Sequence, residues 1–257
     1  MTQWIRFVEG GTIGFGILEG NGIAVHAGDM FDSPRPTGRT VALDSVVVAT
    51  PTAAGKMIAL WNNYRALAAK LGNPVPDEPL YFIKANSSYL ATGQAIRTPG
   101  SYGGKVVYEG ELGIVIGRTC RAVSEAEAER AIFGYTCIND VTAAEILNRD
   151  PTFAQWTRAK SFDTFGVFGP VVATGLDPLQ LSVRTVLNGQ ERQNYPVADI
   201  VFPPAKLVSL ISQDMTLDPG DVIACGTSIG VGTMKNPTNI VKVSIDGVGT
   251  LSNVFAQ

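Results

Sequence analysis

The stretch Val107-Tyr108-Glu109-Gly110-Glu111-Leu112-Gly113-Ile114-Val115-Ile116-Gly117 constrains this chain more than any other. Tyr108, Leu112, Ile114 and Ile116 mark a substantially buried strand over Lys105–Ile116. Side chains two apart on a strand share a face, so Glu109 and Glu111 point the same way. Their Cα atoms then stand about 6.5–7 Å apart, from a rise of about 3.3 Å per residue. Two flexible carboxylates at that separation can converge on one cation. Buried like charges without a partner are very unfavourable, and a divalent metal resolves the conflict. The alternative puts both glutamates on a solvent-facing sheet surface, where such a pair is common.

A third carboxylate lies downstream. Tyr135-Thr136-Cys137-Ile138-Asn139-Asp140-Val141-Thr142 reads as an apolar strand ending in Asn-Asp. Asp140 either completes a site made by a neighbouring strand or caps the helix that follows. Three oxygen ligands with no thiolate or imidazole among them favour Mg²⁺ or Mn²⁺ over Zn²⁺.

Composition narrows the classes of function. A length of 257 residues suits one large domain or a small one joined to a larger, and 45% hydrophobic with 17% charged residues excludes a disordered tail or a coiled coil. With 20 Lys+Arg against 23 Asp+Glu there is no basic stripe to attract a phosphate backbone, so nucleic acid is not an expected partner. One histidine sharply limits imidazole catalysis. Cys120, Cys137 and Cys225 are odd in number and lack a CxxC pair, and they read as reduced, buried side chains. Arg6 and Glu9 interrupt the place where a signal peptide needs an apolar run, and no stretch approaches the roughly 20 apolar residues of a membrane span. A cytoplasmic protein with no membrane partner is the expectation.

The predicted class is α+β, strand-rich with few short helices. Residues 1–50 are expected as a small N-terminal β segment, with strands at Thr12–Ile17, Gly22–His26 and Val41–Val48, and a polar loop over Asp32–Pro36. The small, Pro-containing tract Ala49–Gly55 marks the boundary to a catalytic domain over 51–257. Within it, helices are predicted over Lys56–Leu71 with Gly72 as C-cap, from a Ser124/Glu127 capping box to Ile132, over Ala143–Asn148, and over Lys206–Ser212. Further strands are expected at Leu80–Lys84, Gly169–Val172, Ser182–Asn188, Val222–Cys225 and Ile240–Ile245.

From about Leu60 onward the chain resembles the fumarylacetoacetate hydrolase superfamily, which includes acylpyruvate hydrolases, oxaloacetate decarboxylases and 2-hydroxyhepta-2,4-diene-1,7-dioate isomerases. The resemblance rests on Tyr108–Leu112 with Val115-Ile116-Gly117, Gly134-Tyr135-Thr136, and Asn139–Thr142. It continues through Trp156, Ala159-Lys160-Ser161-Phe162-Asp163 and Gly169-Pro170. Val186–Gly189 with Arg192-Gln193, Leu217–Asp221, Gly226-Thr227 and Gly230-Val231-Gly232 complete it. It implies a β-rich fold in which Glu109, Glu111 and Asp140 hold Mg²⁺ or Mn²⁺, and a small 2-oxo or 1,3-dicarbonyl carboxylate as substrate. Lys160 is then the catalytic ammonium near the developing negative charge, where the alternative is a surface ion pair. Thr227 with Gly226 matches the segment that contacts the substrate carboxylate, where the alternative is an ordinary turn. Arg65, Lys84 and Gln193 fall at further substrate-binding positions, and a homodimer is implied.

The chain also departs from that pattern. Many hydrolytic members carry Asn-Tyr-x-x-His-x-x-Glu, whose His–Glu pair activates water; here Asn63-Tyr64 is followed by Leu67 and Lys70 in those places. The sole histidine, His26, falls in the N-terminal segment, as a strand or hairpin residue. Arg65 or Lys70 with a depressed pKa is the remaining candidate for a replacement base. Ala144 replaces an expected arginine, Lys84-Ala85 replaces Lys-Pro, and Thr227-Ser228 replaces Thr-Pro. The expectation is an enzyme working through a metal-stabilised enolate, by decarboxylation, isomerisation or C–C hydrolysis, in catabolism of aromatic or related compounds. The missing pair tilts it away from hydrolysis. The rival is a catalytically degenerate homologue that keeps metal and ligand binding alone.

Overall fold

Continuous apolar runs form the centre of the largest sheet of this chain and alternating ones its N-terminal edge, in a computed structural model that describes residues 1–256. The class is α+β, with twenty strands and four short α-helices among the described residues. A 12-stranded sheet forms the spine, and a five-stranded and a three-stranded sheet pack beside it.

Strand Gly110–Ile116 is buried at every residue. It pairs antiparallel with Ile132–Asp140 on one side and with Val222–Ala224 on the other. A strand covered on both faces needs no polar alternation, which accounts for its unbroken apolar run. The expected single strand over Lys105–Ile116 is broken at Glu109. Val106–Tyr108 leaves the spine to pair with Thr142–Ala143 and Gly232–Thr233 in the three-stranded sheet.

The N-terminal residues form a meander, Thr2–Glu9, Thr12–Glu19, Gly22–Ala27 and Arg35–Ala42. Its first strand pairs with Gly166–Thr174, matching Trp4 to Val172, so the meander extends the spine. The loop expected over Asp32–Pro36 gives way to strand at Arg35. The strand expected over Val41–Val48 is instead the end of Arg35–Ala42, a 3-10 turn at Leu43–Ser45, and a two-residue strand at Val47–Val48.

The helix predicted over Lys56–Leu71 is two elements. Met57–Trp61 is a strand, parallel to Val222–Ala224 and antiparallel to Leu80–Lys84, and only Arg65–Leu71 is helical. Four consecutive buried residues, Met57 to Leu60, suit a central strand, and a short apolar run does not tell the two apart by spacing. Gly72 does cap the helix: at φ 71° its N–H reaches the Ala68 and Ala69 carbonyls. The helix expected over Ala143–Asn148 reduces to a 3-10 turn at Ala144–Ile146, because Thr142 and Ala143 are taken into sheet pairing. The Ser124/Glu127 capping box opens Glu125–Ala131 as expected, and the last helix runs over Pro204–Asp214.

The five-stranded sheet runs in the order Gln190–Pro196, Ser182–Leu187, Thr238–Ile245, Gly249–Ala256, Ala95–Arg97. Its hairpin Ser182–Pro196 leans on the start of Gly110–Ile116. Cys120, Cys137 and Cys225 are buried and free. No helix among the described residues is long and apolar enough to cross a membrane.

Candidate metal centre

Glu109 occupies the break between two strands, Glu111 lies two residues on, and Asp140 ends the neighbouring strand Ile132–Asp140. Register brings them together, since Gly110 pairs with Asn139. The Asp140 N–H donates to the Glu109 carbonyl (2.8 Å), and the Glu109 N–H donates to Asn139 Oδ1 (3.1 Å). One oxygen from each of Glu109, Glu111 and Asp140 lies within 4.8 Å of the others. Glu111 is 1% exposed, which rules out a solvent-facing pair. Asp140 caps no helix, because strand Thr142–Ala143 follows it and its carboxylate oxygens meet Lys84 and Lys160. The Glu109 side chain keeps 15% of its surface and is the open edge of the cluster.

Two lysines meet these acids. Helix Trp156–Lys160, which the sequence did not reveal, ends with Lys160 Nζ donating to Glu109 Oε2 and Asp140 Oδ2, each at 2.7 Å. Lys160 is therefore no surface ion pair. Lys84 closes strand Leu80–Lys84, and its ammonium donates to Asp140 Oδ1 and to the Lys160 carbonyl. With its side chain wholly buried, Lys84 braces Asp140 and Lys160 instead of facing a substrate.

Electrostatics follow from this crowding. Burial, then the charges of Asp140 and Glu109, push the Glu111 carboxyl well above the usual range. Burial also raises Glu109, and Lys160 only partly opposes it. Burial works against the charged form of Asp140 too, but the Lys160 and Lys84 ammoniums hold its carboxyl below the ordinary value. Lys160 is desolvated, yet Asp140, Glu109 and Glu111 hold it protonated, above the ordinary lysine range. Burial drags Lys84 down despite Asp140.

These residues fit a divalent cation. Three carboxylates against two ammoniums leave one net negative charge in a buried cluster. Glu111 Oε2 accepts from the Gly226 N–H (2.9 Å), whereas Glu111 Oε1 is buried with no hydrogen-bond partner. An orphaned carboxylate oxygen inside an all-oxygen donor set is what a hard cation satisfies.

The other expected residues divide. Gly226 (φ 86°) turns its N–H onto Glu111. Thr227 and Gln193 lie against the cluster but bond to protein: Thr227 Oγ1 donates to the Gly110 carbonyl (2.9 Å) and accepts from Gln193 Nε2 (2.8 Å). Arg65 is not brought to the cluster; its guanidinium donates to the carbonyls of Asp199, Ile200 and Val201. Lys70 is exposed on the same helix, and Leu67 packs on the core. His26 sits on Gly22–Ala27 with Nδ1 against the Ala24 carbonyl (2.9 Å) and its ring edge-on to Trp4. Five strand steps separate it from Gly110–Ile116, about 24 Å at about 4.8 Å per step. Sequence reasoning missed the support given by Thr142, whose hydroxyl donates to Glu109 Oε1 (3.0 Å), and by Tyr195, whose hydroxyl donates to the Gly110 carbonyl (2.6 Å). Only the Asn139–Thr142 run signalled the first, and nothing local signalled the second.

A strand-rich α+β fold built around three buried carboxylates and a lysine defines the class. The family described as Fumarylacetoacetate (FAA) hydrolase C-terminal matches residues 56–256, and the one described as Rv2993c-like, N-terminal matches residues 2–51. The chain belongs to the fumarylacetoacetate hydrolase family. The crystal structure of 2-hydroxyhepta-2,4-diene-1,7-dioate isomerase from Mycobacterium marinum superposes with a TM-score of 0.90 at 35% identity, covering 100% of this chain and 98% of that one. Oxaloacetate tautomerase YisK of Bacillus subtilis is 33% identical over 214 residues, 79% of this chain and 70% of the relative. Fumarylpyruvate hydrolase from Pseudomonas aeruginosa, solved in complex with Mn²⁺ and pyruvate, superposes with a TM-score of 0.72 at 26% identity, covering 79% and 90%. Isomerase, tautomerase and hydrolase are thus all found among its relatives.

Proposed function

We propose that this chain is a divalent-metal-dependent enzyme that moves a proton between the keto and enol forms of a small 2-oxo or 1,3-dicarbonyl carboxylate. One observation carries the reading: the carboxylate–lysine centre is complete, while an imidazole base is absent from it. Glu109, Glu111 and Asp140 would hold Mg²⁺ or Mn²⁺, as Mn²⁺ accompanies pyruvate in the fumarylpyruvate hydrolase relative. When bound, the cation supplies Lewis-acid polarisation of the substrate's carbonyl.

The chain's own groups do the rest. A dication turns the cluster's net charge from minus one to plus one, which suits an anionic substrate. Lys160 Nζ, fixed by two carboxylates at 2.7 Å, holds its proton and offers a preorganised positive charge to a developing enolate oxygen. Asp140 and Lys84 fix the helix end that presents it. Hydrolysis needs a base for its water, worth about 10²–10⁴ in rate. Leu67 cannot serve, Lys70 faces solvent, and His26 lies strands away. Keto–enol transfer has no hydrolytic water to activate: from the polarised substrate the carbon-bound proton would pass to solvent water and return from it, while Lys160 keeps its own proton. The isomerase and tautomerase relatives at 35% and 33% identity support the same choice. The assembly is proposed as a homodimer.

A panel of oxaloacetate, an acylpyruvate and a carboxymethyl-hydroxymuconate tests this, with Mg²⁺ or with chelator. Turnover is expected only with metal and is lost in Glu109→Ala. Activity untouched by chelation or by that substitution defeats the mechanism. Ligand binding without any product favours the degenerate homologue.

A further inference from the structure

The two peptides between the glutamates are gripped by side chains from strand Gln190–Pro196 and from the loop that follows Val222–Ala224. The Gly110 N–H donates to Gln193 Oε1 (3.0 Å), and its carbonyl accepts from Thr227 Oγ1 (2.9 Å) and from the Tyr195 hydroxyl (2.6 Å). Gln193 Nε2 donates to Thr227 Oγ1 (2.8 Å) and to the Ser228 carbonyl (3.2 Å). Both ends of the Gln193 amide are therefore used, in a residue only 1% exposed. Gly110 has no room for a side chain, because a Cβ there would stand 2.0 Å from Thr185 Oγ1. Thr185 lies directly opposite Gln193 in the hairpin, so backbone and clamp are packed as one unit. The same loop reaches the carboxylate itself, through the Gly226 N–H on Glu111 Oε2 (2.9 Å).

We propose that Gln193 is a positioning residue which, with Thr227, locks the two peptides that flank Gly110 and so sets the directions in which Glu109 and Glu111 present their carboxylates to a divalent cation. This rests on the metal reading above. The Gly110 N–H lies in the Glu109–Gly110 peptide and its carbonyl in the Gly110–Glu111 peptide, so holding both fixes the planes next to each glutamate's Cα and one clamp governs two ligands. Gln193 suits the task because one planar amide accepts from the backbone and donates to the hydroxyl that holds the carbonyl. Groups that orient metal ligands typically change metal affinity by about 10–100-fold when removed.

Calorimetric Mn²⁺ titration of the full chain tests the lock without reference to turnover. Gln193→Met keeps the volume and removes both functions, and its Kd should rise about 10–100-fold. Thr227→Val should do likewise, whereas Thr227→Ser retains the hydroxyl and should bind as the wild type does. The double variant Gln193→Met/Thr227→Val should lose less than the sum of the two singles, because the two share one bond. If that variant fails to fold, the Thr227→Val and Thr227→Ser pair reads the same lock. An unchanged Kd in Gln193→Met beside a lost Kd in Glu111→Gln overturns the lock alone, whether melting falls or KM rises. A wild type that binds no Mn²⁺ overturns the metal reading and the lock together.

Discussion

Replacing Lys84 with methionine removes an ammonium whose side chain has no exposed surface and whose partner Asp140 is equally buried. Deleting one member of a buried ion pair typically costs about 3–5 kcal/mol, since the other charge is left uncompensated. Asp140 retains Lys160 at 2.7 Å, so the lower end applies, about 3 kcal/mol. For a chain of this size that lowers Tm by about 6–12 °C, at about 2–4 °C per kcal/mol. The substitution also takes the cluster from one net negative charge to two. Mg²⁺ should then stabilise the variant more than the wild type, through the mass-action term of ligand binding. Scanning calorimetry on chelated protein, repeated at saturating Mg²⁺, measures both effects. Lys70→Met, on the exposed face of its helix, is the control and should melt within about 0.5 kcal/mol of wild type. If Lys84→Met melts with the wild type, or gains less from Mg²⁺, then Lys84 is not the brace described here.

Lys160→Met should lower kcat by about 10²–10³-fold, the usual loss of a preorganised donor, while calorimetry still finds bound metal. Gly110→Ala should destabilise by about 1–3 kcal/mol by driving a Cβ against Thr185 Oγ1, and adding Thr185→Ala should recover most of it in chemical denaturation. Burial and the hydrogen bond to Glu145 push Tyr102 up to about 12, from an ordinary value of 10.0. Its contribution to stability is thus complete below pH 10 and lost as pH rises toward 12. NMR titration of the ring should show Glu145→Gln drawing that pKa back down and flattening the alkaline loss. Light scattering should find two chains per particle.

Much of the centre was legible in the sequence because it depends on local geometry. Period-two alternation placed Glu109 and Glu111 together, and an apolar strand ending in Asn-Asp delivered Asp140 beside them. Lys160 was named from its motif, although the five-residue helix that carries it gave no periodic signal. What stayed hidden depends on distant partners. At the strand break the Gly110 N–H is bound by Gln193, 83 residues away, which no local pattern announces. Lys84 reads as a substrate ligand until its contact with Asp140, 56 residues away, shows that it is sealed in. Arg65 follows an inherited motif but is captured by carbonyls 134–136 residues on. Spacing alone predicts helix over Met57–Trp61, but pairing with strands far along the chain decides so short an apolar run.

Proton NMR of oxaloacetate in D₂O with the Mg²⁺-loaded protein distinguishes the possible reactions in one sample. Proton transfer at this centre predicts faster keto–enol exchange and deuterium at C3, with the four-carbon skeleton intact, both returning to the uncatalysed rate with chelator or in Glu111→Gln. Pyruvate as the first product, or exchange that persists after the metal is removed, would overturn the proposed function.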